Sequence, residues 1–398
     1  MNILYIHQYF FTPKEGGCTR SYELARGLVS HGHQVTVITA HNTIRGIQKI
    51  YGIEVHYLPI KYKNEFGFIK RIYAFLKFVY LAKKTAARIE KVDLAYVMTT
   101  PLTTGLIALY LKEKKNIPFY FEVGDLWPAA PIQMGAIKNR FLIAQLQKFE
   151  RKCYFEATKV IALSPAIRNY IETISPQTKV HVLPNLADCD FFKPEDKTRR
   201  LEPNKLFNVG YFGTFGKAND LEKMVSVAKE CEALPIAFHF MGEGAEGKHL
   251  RNIAKGLSNV SFHPFGNKDQ VKSLMEKMDA VYISFKNVEI LNTGSPNKFF
   301  DGLAAGKLII LNFGGWIRSV VEEHKCGFYH DPHQPVEFRR KILPFLKNPA
   351  LLNTYQKNSR LVAKKYYDKP LAIEKLVKIL NNEKRLSVRD SEVYILTA

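Results

Sequence analysis

The sequence predicts an α/β protein of two similar domains in tandem. Three observations predict it. Apolar runs of strand length alternate with amphipathic helical stretches. The alternation breaks near residues 185–205 and restarts at Phe207. Each half opens with a strand that runs into a glycine-containing loop. A length of 398 residues suits two domains.

The composition is that of a globular protein with ample core, 46% hydrophobic and 24% charged. A formal charge of +21 favours an anionic partner: nucleic acid, an acidic membrane surface or phosphorylated substrates. Cys18, Cys153, Cys189, Cys231 and Cys326 are scattered, which argues against a disulfide framework or a zinc site and suits a reducing cytosol. Met1 to His7 reads as a strand rather than a signal peptide, and no run reaches the length of a transmembrane span.

In order, residues 2–10 read as a buried strand and Phe11 to Cys18 as a loop with Gly16-Gly17 as its flexible part. Helical periodicity follows through Tyr22, Leu24, Ala25 and Leu28, then a strand over Gln34–Thr39. This is a βαβ unit with a glycine pair at the C-terminal end of its first strand, where parallel sheets bind ligands. A plain turn is the alternative. Residues 60–91 mix Lys61, Lys63, Lys70, Arg71, Lys77, Lys83, Lys84, Arg88 and Lys91 with Phe66, Phe68, Tyr73, Phe75, Phe78 and Tyr80. A basic helix with a broad aromatic face can lie on an anionic bilayer, or it can pack inward with a solvated basic edge.

Strands follow at Val92–Met98 and Ile117–Val123, the second running into Gly124-Asp125-Leu126-Trp127-Pro128. A carboxylate at Asp125 could orient a substrate hydroxyl or accept its proton; the ordinary alternative is a turn residue. Ser164-Pro165 opens a further helix, and the charged stretch Glu195–Lys205 belongs to the boundary. The second half begins with strand Phe207–Phe212 and the loop Gly213-Thr214-Phe215-Gly216-Lys217.

The most informative stretch is Leu291 to Lys307. Ser295 reads as an N-cap and Pro296 as the first helical residue; Gly306 ends the helix. The amides after Gly294 and the charge of Lys298 then form a candidate phosphate seat, against the alternative of a capped helix with a surface lysine.

Two motifs mislead. Gly242-Glu243-Gly244-Ala245-Glu246-Gly247 fits the dinucleotide pattern, but it follows the second strand of its domain and carries two glutamates that would repel a pyrophosphate. Asp188-Cys189-Asp190 looks like a metal–nucleotide motif but lies between the domains.

Taken together, Gly16-Gly17, Gly32-His33-Gln34-Val35, Leu183-Pro184-Asn185 with Phe192-Lys193-Pro194, Gly242-Glu243-Gly244 and Ser295-Pro296-Asn297-Lys298 through Gly306 resemble the retaining GT-B-fold glycosyltransferases of family four. The resemblance runs over nearly the whole chain. Asp125-Leu126-Trp127-Pro128 is most similar to the subgroup that builds bacterial O-antigen and capsule, including fucosamine transferases.

The resemblance implies two Rossmann-like domains facing across a cleft: an acceptor domain over residues 1–187, a donor domain over 188–382 and a tail over 383–398. It implies a nucleotide-diphosphate sugar donor, UDP-linked, and no separate cofactor or metal. Gly213, Lys217 and Lys298 would lie at the diphosphate, with Thr293, Gly294, Ser295 and Asn297 completing the cradle, Asp301 at the ribose and Gly16-Gly17 closing over it. Thr293 and Asp301 stand where many members carry two glutamates. Gly124-Asp125 stands where many carry a histidine.

The expected chemistry is front-face attack, with Lys217 and Lys298 stabilising the leaving diphosphate and Asp125 positioning the acceptor. The segment with Lys70, Arg71, Tyr73, Phe75 and Lys77 points to a lipid-linked saccharide acceptor at the inner face of the cytoplasmic membrane. A UDP-sugar 2-epimerase on the same fold and an anion- or nucleic-acid-binding protein are the alternatives; the second lacks any recognition motif, so no nucleic-acid partner is expected.

Overall fold

A computed structural model describes residues 1–63, 66–194 and 206–381. The expected boundary segment from Glu195 and the tail from Glu383 lie outside these residues. The chain divides into two compact units: Met1–Thr12, Cys18–Pro184 and the described residues from Ala372 in the first, and Pro13–Gly17 with the described residues of Asn185–Leu371 in the second. The division at 184/185 falls three residues before the boundary expected from sequence. The return of the chain to the first unit at Ala372 was not expected.

The first unit runs β1 (Asn2–Ile6), α1 (Arg20–Ser30), β2 (Gln34–His41), β3 (Gly46–Ile50), β4 (Ile53–Pro59), α2 (Phe68–Ala86), β5 (Leu94–Met98), α3 (Gly105–Lys115), β6 (Phe119–Val123), α4 (Ala129–Gln133), α5 (Arg140–Glu156), β7 (Lys159–Ala162), α6 (Pro165–Ile174) and β8 (Val180–Val182). The sheet order is β3-β4-β2-β1-β5-β6-β7-β8, parallel except for β3. The β3–β4 hairpin was not anticipated. Its two-residue turn Tyr51-Gly52 has positive φ at both positions, as tight hairpins require. Strands β5 and β6 are buried at every residue, because helices cover both faces of a parallel sheet.

The second unit runs β9 (Phe207–Phe212), α7 (Glu222–Glu230), β10 (Ile236–Met241), α8 (Gly247–Ile253), β11 (Val260–His263), α9 (Lys268–Glu276), β12 (Ala280–Ile283), α10 (Asn297–Ala304), β13 (Leu308–Leu311), α11 (Trp316–Glu323), β14 (Gly327–Tyr329), α12 (Pro335–Lys347) and α13 (Pro349–Val362), followed by α14 (Lys369–Leu380). Its sheet order is β11-β10-β9-β12-β13-β14, all parallel. Helix α14 closes the first unit: Gly27 of α1 has no side chain because a Cβ there would meet Ile373 at 2.5 Å. The Lys159 amine donates to the carbonyl of Ile379.

In both sheets the strand order reverses about the first strand of the unit. β1 lies between β2 and β5, and β9 lies between β10 and β12. Loops at the C-terminal edge part there, the position at which open parallel sheets generally bind ligands.

Candidate active site

In the second unit, the loop after β9 and the head of α10 meet around Lys298. The helix buries Phe299, Phe300, Leu303 and Ala304 in the core, so its position is set by apolar packing against rings such as Trp316 and Tyr367. Lys298 sits half-buried one residue into the helix. Its Nζ donates to the Tyr211 hydroxyl at 2.8 Å, approaches Asn219 Oδ1 at 3.4 Å and lies 4.2 Å from the Tyr211 ring centroid. These partners are neutral, and burial pushes the Lys298 amine down to about 7. A Cβ on Gly213 would stand 3.4 Å from that amine, so Gly213 and Lys298 adjoin.

Around Lys298 the loops form a hydrogen-bonded frame. Tyr211 Oη and Asn219 Nδ2 both donate to the carbonyl of Thr214, each at 2.9 Å. The Ser284 hydroxyl, at the end of β12, donates to the carbonyl of Asn219 at 2.5 Å and accepts from Asn312 Nδ2 at 2.8 Å. Lys217 begins the short 3₁₀ turn Lys217–Asn219 and is exposed, two residues from the Asn219 that touches Lys298.

The cradle residues differ from expectation in detail. Helix α10 starts at Asn297, with Pro296 at the N-cap and no side-chain cap. The Ser295 hydroxyl accepts instead from the amide of Asn185 at 3.3 Å. The Thr293 hydroxyl is committed to the carbonyl of Ile290 at 2.7 Å, and the Gly294 carbonyl accepts from the Trp316 indole at 2.8 Å. Thr293 and Gly294 therefore shape the turn, while the first-turn amides of Asn297 and Lys298 face no cap.

Asp301 is half-buried, and burial raises its carboxyl to about 7 against the attraction of Lys268. Gly16 lies with the second unit, where a Cβ would meet the Phe265 ring at 3.2 Å; Gly16 and Gly17 have φ of 77° and 86°.

Both misleading motifs have structural explanations. A Cβ on Gly242 would come within 1.8 Å of the Gly213 carbonyl, so this glycine lets the loop after β10 lie flat on the loop after β9. Asp188 is taken by Lys268 at 2.5 Å and Lys369 at 3.1 Å, and although burial opposes its charge these lysines hold its carboxyl below the usual range.

In the first unit, Asp125 follows β6 and is exposed, with Thr100 Oγ1 donating to it at 3.4 Å. Protein around the carboxylate displaces part of its hydration and raises its pKa. At the end of the same strand, Glu122 belongs to a buried frame that the sequence did not reveal. Arg20 Nε donates to Glu122 Oε1 at 2.9 Å, Tyr96 donates to Oε2 of the same carboxylate, and the Arg20 guanidinium also holds the carbonyls of Pro184 at 2.5 Å and Leu183 at 2.9 Å. His7 pairs with the Ser21 hydroxyl at 2.7 Å, and burial pushes it down to about 3, so it is neutral.

Helix α2 presents Ile69, Ile72, Tyr73, Leu76 and Tyr80 to solvent at helical spacing, with Ile69 82% and Tyr73 66% exposed. Lys70 is on the exposed side, and Lys77 and Arg71 are half-buried. Phe75, expected on the same face, is half-buried and stacks on Tyr62 at 5.9 Å. Arg71 donates to the carbonyl of Phe66 at 2.8 Å, so it is partly committed to the start of the helix.

Comparison with known proteins accounts for both halves. Residues 15–186 match the glycosyl transferase 4-like domain, and residues 192–362 match glycosyl transferases group 1. An uncharacterized glycosyltransferase of Methanocaldococcus jannaschii, MJ1178, is 22% identical over 66% of this chain and 68% of its own length. Among solved structures, sucrose-phosphate synthase from Thermosynechococcus elongatus superposes with a TM-score of 0.78 at 15% identity, covering 96% of this chain and 98% of that one. Anabaena HepE in complex with UDP-glucose superposes with a TM-score of 0.66 at 16% identity, covering 96% and 100%. With a glycosyl transferase 4-like half followed by a group 1 half, on two mainly parallel α/β sheets, the chain belongs to the GT-B glycosyltransferases.

Proposed function

We propose that the protein is a retaining, metal-independent glycosyltransferase that moves a sugar from a UDP-linked donor to a lipid-linked saccharide in the synthesis of a bacterial surface polysaccharide such as O-antigen or capsule. The observation that carries the reading is the Lys298 amine, held by neutral partners beside Gly213 and the uncapped head of α10. A diphosphate placed there meets a cation, a helix N-terminus and a glycine that lets it come close. The solved HepE complex with UDP-glucose supports a nucleotide-sugar donor for this fold.

The leaving diphosphate gains negative charge as the glycosidic bond breaks. Lys298, with Lys217 from the neighbouring turn, stabilises that charge more in the transition state than in the ground state. The acceptor hydroxyl attacks on the face the diphosphate leaves, and a leaving phosphate oxygen takes its proton. Asp125 orients the acceptor hydroxyl. Asp301 offers its carboxylate to a ribose hydroxyl.

Thermal shift and calorimetry with UDP, GDP, ADP and UDP-sugars, with and without Mg²⁺, test the donor site. Selective stabilisation by UDP without metal is expected, by mass action on the folded state. No response to any nucleotide would remove the basis of the reading.

The same titration carries a pH signature. The free Lys298 amine titrates at about 7, and the diphosphate binds its protonated form. Above that pH each binding event must first take up a proton. UDP affinity is therefore expected to fall by up to about tenfold per pH unit above about 7, with proton uptake visible as a heat that changes with the buffer. Affinity that is flat from pH 6 to 9 would contradict it.

The acceptor side is supported by the exposed apolar stripe of α2 beside Lys70 and Lys77. Apolar side chains enter the headgroup boundary while lysines meet anionic lipid. We place the enzyme as a peripheral protein on the inner face of the cytoplasmic membrane. Among the described residues no helix is long and apolar enough to cross one. Co-sedimentation with anionic vesicles is expected to be strong, and to be lost when Lys70 and Lys77 become Glu or when Ile69, Tyr73 and Leu76 become Ser. Equal binding by all these variants would rule α2 out as the contact.

A further inference from the structure

We propose that Asn185 is a positioning residue for the anion site at α10: it draws the Ser295 hydroxyl off the helix, leaving the first-turn amides and Lys298 to the donor diphosphate. The inference rests on the donor-site reading above.

The chain contains its own comparison. Ser164-Pro165 and Ser295-Pro296 both stand at the start of a helix. Ser164 behaves as the dipeptide predicts: its hydroxyl accepts from the amide of Ile167 at 3.0 Å, and Pro165 begins α6. At α10 the same dipeptide does not cap. The backbone amide of Asn185 donates to Ser295 Oγ at 3.3 Å, and Asn185 Nδ2 donates to the Ser295 carbonyl. The helix begins a residue later, at Asn297.

Two further facts concern Asn185. It is 6% exposed and Ser295 is 9% exposed, so the tie is made out of water, where it is strong. The Ser295 carbonyl requires the NH₂ end of the amide, which fixes its orientation. Asn185 Oδ1 is then buried without a partner among the described residues. Leaving a buried acceptor open costs stability, and such groups persist where a local arrangement serves something other than folding. A cap on α10 would satisfy one helix amide at the place where a phosphate oxygen has to bind.

The test is calorimetry of UDP and of inorganic pyrophosphate with three full-length chains: wild type, Asn185→Ala, and Asn185→Ala with Ser295→Ala. The single variant keeps the backbone amide of residue 185 but loses the Nδ2 tie to the Ser295 carbonyl, so Ser295 is no longer held against that amide and its hydroxyl can swing onto the α10 amides. Its Kd for both probes is expected to rise at least tenfold, and KM for the donor to rise more than kcat falls. In the double variant no hydroxyl competes, and at least half of the lost affinity, on a logarithmic scale, is expected to return. A merely structural role for Asn185 would leave the double variant as weak as the single one or weaker.

Unchanged binding by Asn185→Ala, or no recovery in the double variant, overturns the inference while the donor site stands. Wild-type protein that binds neither probe overturns the donor-site reading and this inference together. Asn185→Leu, which keeps the volume without the amide, gives the same comparison if the alanine chain fails to fold.

Discussion

Lys298→Ala is expected to lower kcat/KM by about 2 to 4 kcal/mol of transition-state stabilisation, roughly 30- to 1,000-fold. The loss should fall on kcat as well as on donor affinity, because charge on the leaving diphosphate is larger in the transition state than in the bound donor. Stability should change little. The amine sits where burial already disfavours its charge, and its partners Tyr211 and Asn219 keep their bonds to Thr214. Urea midpoints measured alongside the kinetics separate the two effects. Lys298→Arg adds a second check. A guanidinium stays charged across the accessible range, so the fall in UDP affinity above about pH 7 should vanish even if activity is reduced. Near-normal kcat/KM in the alanine variant would remove Lys298 from the mechanism.

Glu122→Gln is expected to destabilise the first unit by about 3–5 kcal/mol, the usual result of leaving one member of a buried ion pair without its counter-charge. Arg20 and Glu122 are both fully enclosed, and their hydrogen bonds are made to each other, to Tyr96 and to the carbonyls of Leu183 and Pro184. Burial works against the Arg20 charge, and Glu122 more than offsets it, so the guanidinium pKa is raised. The amide variant keeps the shape but removes that offset. Combining Arg20→Met with Glu122→Met should recover much of the loss, since two apolar groups bury without a desolvation cost. Urea unfolding followed by tyrosine fluorescence reads both variants. A loss below about 1 kcal/mol for Glu122→Gln would show that this pair acts by shape and not by charge.

The legible parts of the molecule are those set by neighbours in sequence. The apolar runs of β5, β6, β12 and β13 specify buried parallel strands, and the glycine-containing loops after β1 and β9 mark the edges where the strand order reverses. Lys298 could be found because a Ser-Pro pair and an amphipathic run announce the start of its helix. The behaviour of Ser295 could not, because its partner Asn185 lies 110 residues away. Arg20 and Glu122 are separated by 102 residues, and singly each reads as a surface charge. The β3–β4 hairpin was readable in principle from alternation around Tyr51-Gly52, but Tyr in place of Asn or Asp hides the turn. Helix α2 shows the limit of composition: it supplied the aromatics and the lysines, while only the fold decides that Phe75 is half-buried against Tyr62 and Tyr73 is exposed.

The passage of α14 back to the first unit bears on how the protein is made. Chains are synthesised from the N-terminus, and domains generally fold in that order. Here the first 184 residues lack the helix that fills the space beside Gly27 and covers Lys159. The half that begins synthesis is completed only when the segment around Ile373 and Ile379 emerges, after the whole of the other half. Neither half corresponds to one continuous stretch of coding sequence, so a gene cut at codon 184 yields an unfinished piece, and a fusion partner placed after residue 371 would delay the completion of the first unit rather than merely extend the second.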